Sequence, residues 1–364
     1  MKIFRFLGKG VGHEDAGKGC QDRLSTFITE NGRYIYAISD GCSSSKYAEE
    51  TAQCNIDVIN KVFSRINANN LSRDSFIEVY PELAEHLANY DVNDISSCFA
   101  MIFRYELSCL AKKYSPTNAK MSDYCATLLF VVVENDYTMV GHVGDGNIIF
   151  YDKEGKVVYR SAEENGEDSR HTYFTINENF PDHFYFDTIP TDSYHSLIMF
   201  SDGPQTMFKL ELGAIDKGAY DLVIKPITDK QVETEEDLTK NLQKSLLNAM
   251  HYGFDDWSII VATKQIEKSL DIIPISLKQL FMEAYNNELE AADNGDVKSD
   301  ENNNSSKNSV SDSQDIDTSD NKSDEQKTEN PKESDCQNSD DKYSYGSMHK
   351  KIIKKFKVIK IKFD

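Results

Sequence analysis

Three apolar runs in this chain end in the same dipeptide: YIYAISDG at 34–41, TMVGHVGDG at 138–146 and SLIMFSDG at 196–203. A fourth run, FDDWSIIV at 254–261, begins on a paired carboxylate. Asp40, Asp145, Asp202 and the pair Asp255–Asp256 therefore stand at strand-like termini, where the ladder stops but a rigid scaffold still aims the side chain. Any one Asp-Gly taken alone reads as a hairpin turn, because Gly accepts positive φ and Asp bonds back to its own backbone. Recurrence at the ends of separate apolar runs says more. Hard divalent cations need several carboxylate oxygens converging from different segments. The pattern reads as a carboxylate metal site, and so as metal-assisted chemistry.

The 364 residues, 39% of them hydrophobic, suffice for one large domain or two small ones. A net charge of −21 argues against nucleic acid as a partner and suits a surface that attracts cations. No stretch approaches the roughly 18 apolar residues of a membrane span. The opening MKIFRFLGKG turns polar too soon for a signal peptide, so the expected location is cytoplasmic. The seven cysteines (Cys20, Cys42, Cys54, Cys98, Cys109, Cys125 and Cys336) include no CxxC pair and are odd in number. They read as reduced thiols, neither a disulfide framework nor a zinc site.

Residues 1–265 read as globular. β-Branched and aromatic runs place strands near 2–7, 23–29, 33–39, 125–133, 136–144, 147–151, 195–201 and 257–263. Helical spacing appears from a serine N-cap at Ser43–Ser45 through AEETAQCNIDVINKVF, over about 94–114, and over about 235–251. On the second of these, Ile95, Cys98, Phe99, Ile102, Phe103 and Leu107 share a face. Consecutive strands with tight turns, and helices grouped apart from them, predict antiparallel sheets layered with helices. An accessory amphipathic helix is expected within 266–292. Residues 293–349 collapse to Asp, Ser, Asn, Lys and Glu and read as a disordered acidic linker. The end, KKIIKKFKVIKIKFD at 350–364, reverses sign and reads as a basic amphipathic tail.

Upstream of the first Asp-Gly lies GVGHEDAGKGCQDR at 10–23. Gly12, His13, Gly17, Gln21-Asp22, Ser39-Asp40-Gly41, Gly144-Asp145-Gly146, Ser201-Asp202-Gly203 and Asp255-Asp256-Trp257-Ser258 follow in order. This set resembles the metal-dependent type 2C protein phosphatases, above all their compact bacterial branch, over about residues 5–263. The resemblance implies an α+β fold: a β-sandwich of two antiparallel sheets flanked by helix pairs, a four-layer αββα arrangement. It implies two Mg²⁺ or Mn²⁺ ions between the sheet ends and a serine/threonine phosphoprotein phosphatase acting opposite a kinase. Asp40 then matches the carboxylate that bridges both ions, and the Gly41 carbonyl a ligand of the second. Asp202 and Asp255 match the remaining ligands of the first. Asp22 matches an acidic residue that orients water at the metals, and Asp145 a carboxylate associated with a looser third ion.

The chain departs from the family pattern in four places. Cys42 stands where some relatives carry a His proposed as general acid, and reads as a small packing residue. No Arg precedes Gln21-Asp22 to grip phosphate, leaving Lys18, Arg23 and His13 as candidates at the substrate. Thr206 replaces a second Asp after Asp202, which argues against the third ion. Gly146-Asn147 replaces a common Ser-Arg. His142 and Trp257 read as structural. Alternation along a strand sends Asp255 and Asp256 to opposite faces, and the family register favours Asp255 as the ligand.

Two other readings follow from the same residues: a catalytically silent member of the fold acting as a binding module, and an acidic cation-buffering protein whose Asp-Gly ends are only turns. The basic tail is expected at an anionic membrane, on an acidic partner or against the acidic linker, which would make the protein peripheral at the membrane in the first case.

Overall fold

In the computed structural model the described residues are 1–67, 70–114, 120–161, 172–248, 255–264 and 275–280, with Met282 and Asn286. The linker and tail read at 293–349 and 350–364 lie outside them, as does most of the accessory segment. Eleven strands are described: β1 (Lys2–Lys9), β2 (Arg23–Ile28), β3 (Tyr34–Ser39), β4 (Leu128–Val133), β5 (Tyr137–Val143), β6 (Asn147–Tyr151), β7 (Val157–Arg160), β8 (Tyr185–Pro190), β9 (Ser196–Phe200), β10 (Trp257–Thr263) and β11 (Ile275–Ser276). They form two sheets, ordered β11-β1-β10-β9-β6-β7 and β2-β3-β4-β5-β8. Every pairing is antiparallel except the short β11, which runs parallel to β1.

The helices are α1 (Val11–Asp15), α2 (Ala48–Arg65), α3 (Arg73–Val79), α4 (Ala84–Leu87), α5 (Ile95–Tyr114), α6 (Phe180–His183), α7 (Asp202–Leu212), α8 (Ile215–Ala219), α9 (Lys225–Thr228) and α10 (Glu235–Asn248). Three apolar layers hold them to the sheets. Between the sheets, Tyr36, Ile38, Leu129, Val131, Ile148, Phe150, Met199 and Ile260 pack face to face. Outside β3–β5, the alternate residues Ile35, Ala37, Phe130 and Val132 meet α2, α3 and α5 through Ile59, Phe63, Phe76 and Phe99. Outside the other sheet, Phe6, Ile198, Phe200 and Trp257 meet α7, α8 and α10. The sandwich expected from the sequence is the fold observed. Because both faces of the central strands are covered, β4 is buried at all six positions and reads as an unbroken apolar run.

One local expectation needs correction. The serine cluster does not cap α2: Tyr47 occupies the cap position and makes no side-chain cap hydrogen bond. Ser45 Oγ instead donates to the Ser122 carbonyl at 2.8 Å and accepts from Cys125 N–H at 3.3 Å. The hydroxyl satisfies a loop rather than the helix, so the helix begins one turn later. The face predicted for α5 does turn inward, with Cys98, Phe99, Ile102, Phe103 and Leu107 buried. Among the described residues no helix is long and apolar enough to cross a membrane.

The aromatic layer under α5 predicts a sharp packing limit. Gly141 pairs with Phe130 across β4–β5, and a Cβ there would fall 2.2 Å from Phe130 Cζ. The ring cannot retreat, being stacked on Phe184 and tilted against Phe63 and Phe99. Gly141→Val is expected to cost about 1–3 kcal/mol of stability, read as a lower denaturant midpoint with unchanged slope. A midpoint equal to wild type would show that the layer has slack.

Candidate active site

All the carboxylates picked out in the sequence converge on one end of the sandwich. Asp22 immediately precedes β2 and Asp40 immediately follows β3, whose paired ends are Arg23 and Ser39. Asp145 lies on the β5–β6 connection, which passes from one sheet to the other. Asp202 is the first residue of α7, directly after β9, and Asp255–Asp256 lead into β10. None of the three Asp-Gly dipeptides joins two paired strands, so the hairpin reading fails for each. The glycines serve close approach instead. A Cβ on Gly41 would meet the Ala48 carbonyl oxygen at 2.6 Å, and one on Gly203 the Asp256 carbonyl oxygen at 2.2 Å.

The electrostatics are those of charges held together without compensation. Asp40 is pushed well above the usual carboxylate range by burial first, then by Asp22, Asp202, Asp255 and Asp145. Asp202 rises likewise through burial, Asp255 and Asp145, although a hydrogen bond with Asp40 opposes the rise. Asp22 is pushed up to about 7 by burial and by Asp256, despite a 2.8 Å hydrogen bond donated by Ser201 Oγ to its Oδ2. Asp255 is raised by burial, while the Asp256 N–H, His13 and Lys18 oppose it. Two buried oxygens, Asp22 Oδ1 and Asp202 Oδ1, have no hydrogen-bond partner. Asp202 also gains from its place at the N-terminus of α7, where the helix dipole favours negative charge.

Asp256 has a different task from its neighbour. Its Oδ1 accepts from Gly10 N–H at 2.7 Å and its Oδ2 from Gln21 N–H at 2.5 Å. Oδ2 also pairs with His13 Nδ1 at 2.9 Å. Burial pushes Asp256 up, but these bonds win and its carboxyl lies below the usual range. The same bond raises His13 against its own burial. Asp256 thus ties β1, α1 and the 20–22 segment to the head of β10, leaving Asp255 with the cluster. His13 Nε2 lies 3.0 Å from Ser43 Oγ, and the exposed Lys18 Nζ donates to the Ser43 carbonyl at 2.8 Å. Arg23 turns away from the cluster: its guanidinium donates to the Cys20 and Asp22 carbonyls at 2.7 Å and to Glu49.

Sequence reasoning missed the residues that seat the cluster. Thr127 holds the Asp40 main chain by donating its N–H to the Asp40 carbonyl at 2.8 Å and accepting at Oγ1 from Asp40 N–H at 3.2 Å. Ser39 Oγ donates to the Thr127 carbonyl at 2.6 Å, backed by Asn55 and Thr175. Ser201 links Asp22 to Ser258 N–H. The signal available was the Ser before two of the Asp-Gly pairs. Trp257 is fully buried against Phe6, and His142 is buried and stacked on Tyr185, as their structural reading requires. Thr206 is exposed.

A divalent pair fits these residues by donor chemistry: hard oxygens only, in mutual repulsion, with two buried lone-pair oxygens unpartnered. Among the described residues, no group of three or more His, Cys, Asp or Glu stands close enough to hold an ion as placed.

A model of the family Protein phosphatase 2C matches residues 9–247; the chain belongs to that family. No curated protein matches it. Among solved structures, a variant bacterial serine phosphatase is 15% identical, with TM-score 0.50, covering 74% of this chain and 100% of its own. Serine/threonine phosphatase Stp1 from Staphylococcus aureus is 13% identical, with TM-score 0.49, over 74% and 96%. The catalytic domain of the serine/threonine protein phosphatase PstP, in complex with two manganese ions, is 12% identical, with TM-score 0.43, over 72% and 97%. At these identities the first of the three shows the likeness of fold alone.

Two outcomes follow for the metal-free protein. Asp22, Asp40, Asp202 and Asp255 have raised folded pKa values, so the fold retains protons that the unfolded chain releases. Their contribution is present at low pH and lost as pH rises through the folded values. His13, also raised, has the same sign. With chelator present, the melting temperature is expected to rise as pH falls from about 8 to about 6; a fall would contradict the cluster. Asp256→Asn should destabilise by on the order of 3 kcal/mol, because it breaks a buried pair. Asp255→Asn should leave the metal-free protein as stable or more so, while shifting the half-maximal manganese concentration further. Equal behaviour of the two variants would remove the distinction drawn here.

Proposed function

We propose that the protein is a Mg²⁺- or Mn²⁺-dependent phosphatase that hydrolyses phosphoserine and phosphothreonine in proteins, opposite a cognate kinase. What supports this reading is the partly buried cluster of like-charged carboxylates, two of whose oxygens are unpartnered, on a chain of the type 2C family. When bound at such a site, two divalent cations neutralise phosphoryl charge and make water nucleophilic at neutral pH. Asp40, the Gly41 carbonyl, Asp202 and Asp255 are the residues that would hold them, with Asp145 beside a third.

The chain's own groups then act as follows. Thr127 fixes the Asp40 main chain, so its carboxylate stays aimed into the site. Ser201 holds Asp22 by Oδ2, leaving the unpartnered Oδ1 to orient water in the site. Lys18, exposed and close enough to act on Asp255, is the cation presented to an incoming phosphate. Arg23 and His13 support the site from behind, through Glu49 and Asp256. No covalent nucleophile is needed, and Cys42 lies outside the proton path.

The test is manganese-dependent hydrolysis of an aryl phosphate and of a phosphothreonine peptide. Asp40→Asn is expected to lower turnover by about a hundredfold or more while cooperative unfolding persists. Near wild-type activity in that variant would end the proposal. Metal binding without turnover in the wild type would favour the silent binding module instead.

A further inference from the structure

Cys42 and Cys125 face each other across a short ladder at the rim of the carboxylate cluster. Gly41 and Ala126 form an antiparallel bridge. On one side of it Thr127 N–H donates to the Asp40 carbonyl at 2.8 Å; on the other, Cys42 N–H donates to the Cys125 carbonyl at 3.0 Å. That pattern makes Cys42 and Cys125 directly opposed, with side chains on one face of the ladder. Directly opposed residues of an antiparallel pair have Cα atoms about 4.5–5.5 Å apart, inside the roughly 4.4–6.8 Å range of a disulfide. Their Cβ atoms, about 4.5–5.5 Å apart in such pairs, must close to roughly 3.5–4.5 Å. Closing the bond therefore draws the two segments together by about an ångström.

Both residues are free thiols and both are partly exposed. Cys42 Sγ lies 3.2 Å from Ser44 Oγ on a turn whose Ser43 and Ser44 are exposed. Cys125 Sγ makes long contacts to the Met121 and Ser122 carbonyls at 3.8 and 3.7 Å and lies beside Ser45. Neither sulfur is locked in place by a strong partner.

We propose that this pair is an oxidation site, converted by a peroxide to a Cys42–Cys125 disulfide that disables the adjoining carboxylate cluster. Hydrogen peroxide oxidises Cys42 Sγ to the sulfenic acid; the O–O bond breaks and one water leaves. Cys125 Sγ then attacks that sulfur, the S–S bond forms, the S–O bond breaks, and a second water carries off the oxygen with the thiol proton. Two electrons pass from the thiols to the peroxide, and no other reactant is needed.

The segment drawn inward carries Asp40 and Gly41. Asp40 is bound to Thr127 through both its N–H and its carbonyl, and Gly41 is already pressed against the Ala48 backbone. An ångström of movement there misplaces both groups, and sites of this kind tolerate only about half of that. Both cysteines are partly exposed, so a reductant reaches the bond and the change is reversible. Formation of the bond is independent of the phosphatase reading; its effect on turnover rests on that reading.

The test treats the full-length protein with hydrogen peroxide, blocks remaining thiols, maps linked peptides without reduction, and assays manganese-dependent hydrolysis before and after dithiothreitol. The expected result is a Cys42–Cys125 peptide and a fall in activity of about tenfold or more, restored by the reductant. Cys42→Ala and Cys125→Ala should each keep the reduced rate and lose the peroxide sensitivity. Absence of the linked peptide, or linkage of other cysteines instead, overturns the site. A linked peptide with undiminished activity overturns its regulatory effect. If the reduced protein is inactive, the phosphatase reading fails, and the peptide map still decides the bond.

Discussion

Repulsion among closely set, partly buried carboxylates is the constraint around which this fold is arranged. Asp22, Asp40 and Asp202 are each raised by neighbouring carboxylates, Asp255 among them, on top of the desolvation cost that all four bear. A chain can hold such a set only where the backbone is anchored elsewhere. Here the anchors are three buried apolar layers and the ladders that end beside each Asp. The cluster is a local cost carried by the rest of the sandwich, the arrangement expected where a site is organised for binding charge rather than for stability.

Next to this repulsive set stands one attractive node. Asp256, one residue from Asp255, takes two backbone N–H groups and His13, and is stabilised as an anion. Adjacent residues before a strand face opposite ways, and the chain uses that to separate two tasks. One carboxylate fastens the first strand and the 10–22 segment to β10. The other is left with the cluster. Gly203 lets α7 approach the same point, since its missing side chain is what allows contact with the Asp256 main chain.

Much of this was legible in the sequence, for physical reasons that also explain what was not. The central strands show because both faces are covered, giving long apolar runs such as LLFVVV. The strands β7 and β8 escaped notice because they are edge strands whose positions are mostly exposed, without the covered faces that produce a long apolar run. The position of each Asp at a strand end was visible because strand ends and Asp-Gly coincide. Its partners were not: Thr127, Ser201 and His13 reach their carboxylates from distant segments, and nothing in local pattern encodes that. The serine cluster before α2 misled because a hydroxyl near a helix start can serve any orphan donor. Ser45 serves the Cys125 N–H of a neighbouring loop.

The pairing of β11 with β1 has a consequence for where this folded unit can be cut. Gly8 and Lys9 align with Ile275 and Ser276, and the following Leu277 and Leu280 are buried in the layer beneath α7 and α10. A chain ended just after β10 would retain every carboxylate of the cluster and every long strand of the sandwich. It would also leave the outer edge of β1 with unsatisfied backbone groups beside an uncovered apolar face. Edges of that kind recruit other chains. Such a fragment would be prone to associate with its own copies through β1, the strand whose far end leads into Gly10 and the Asp256 node.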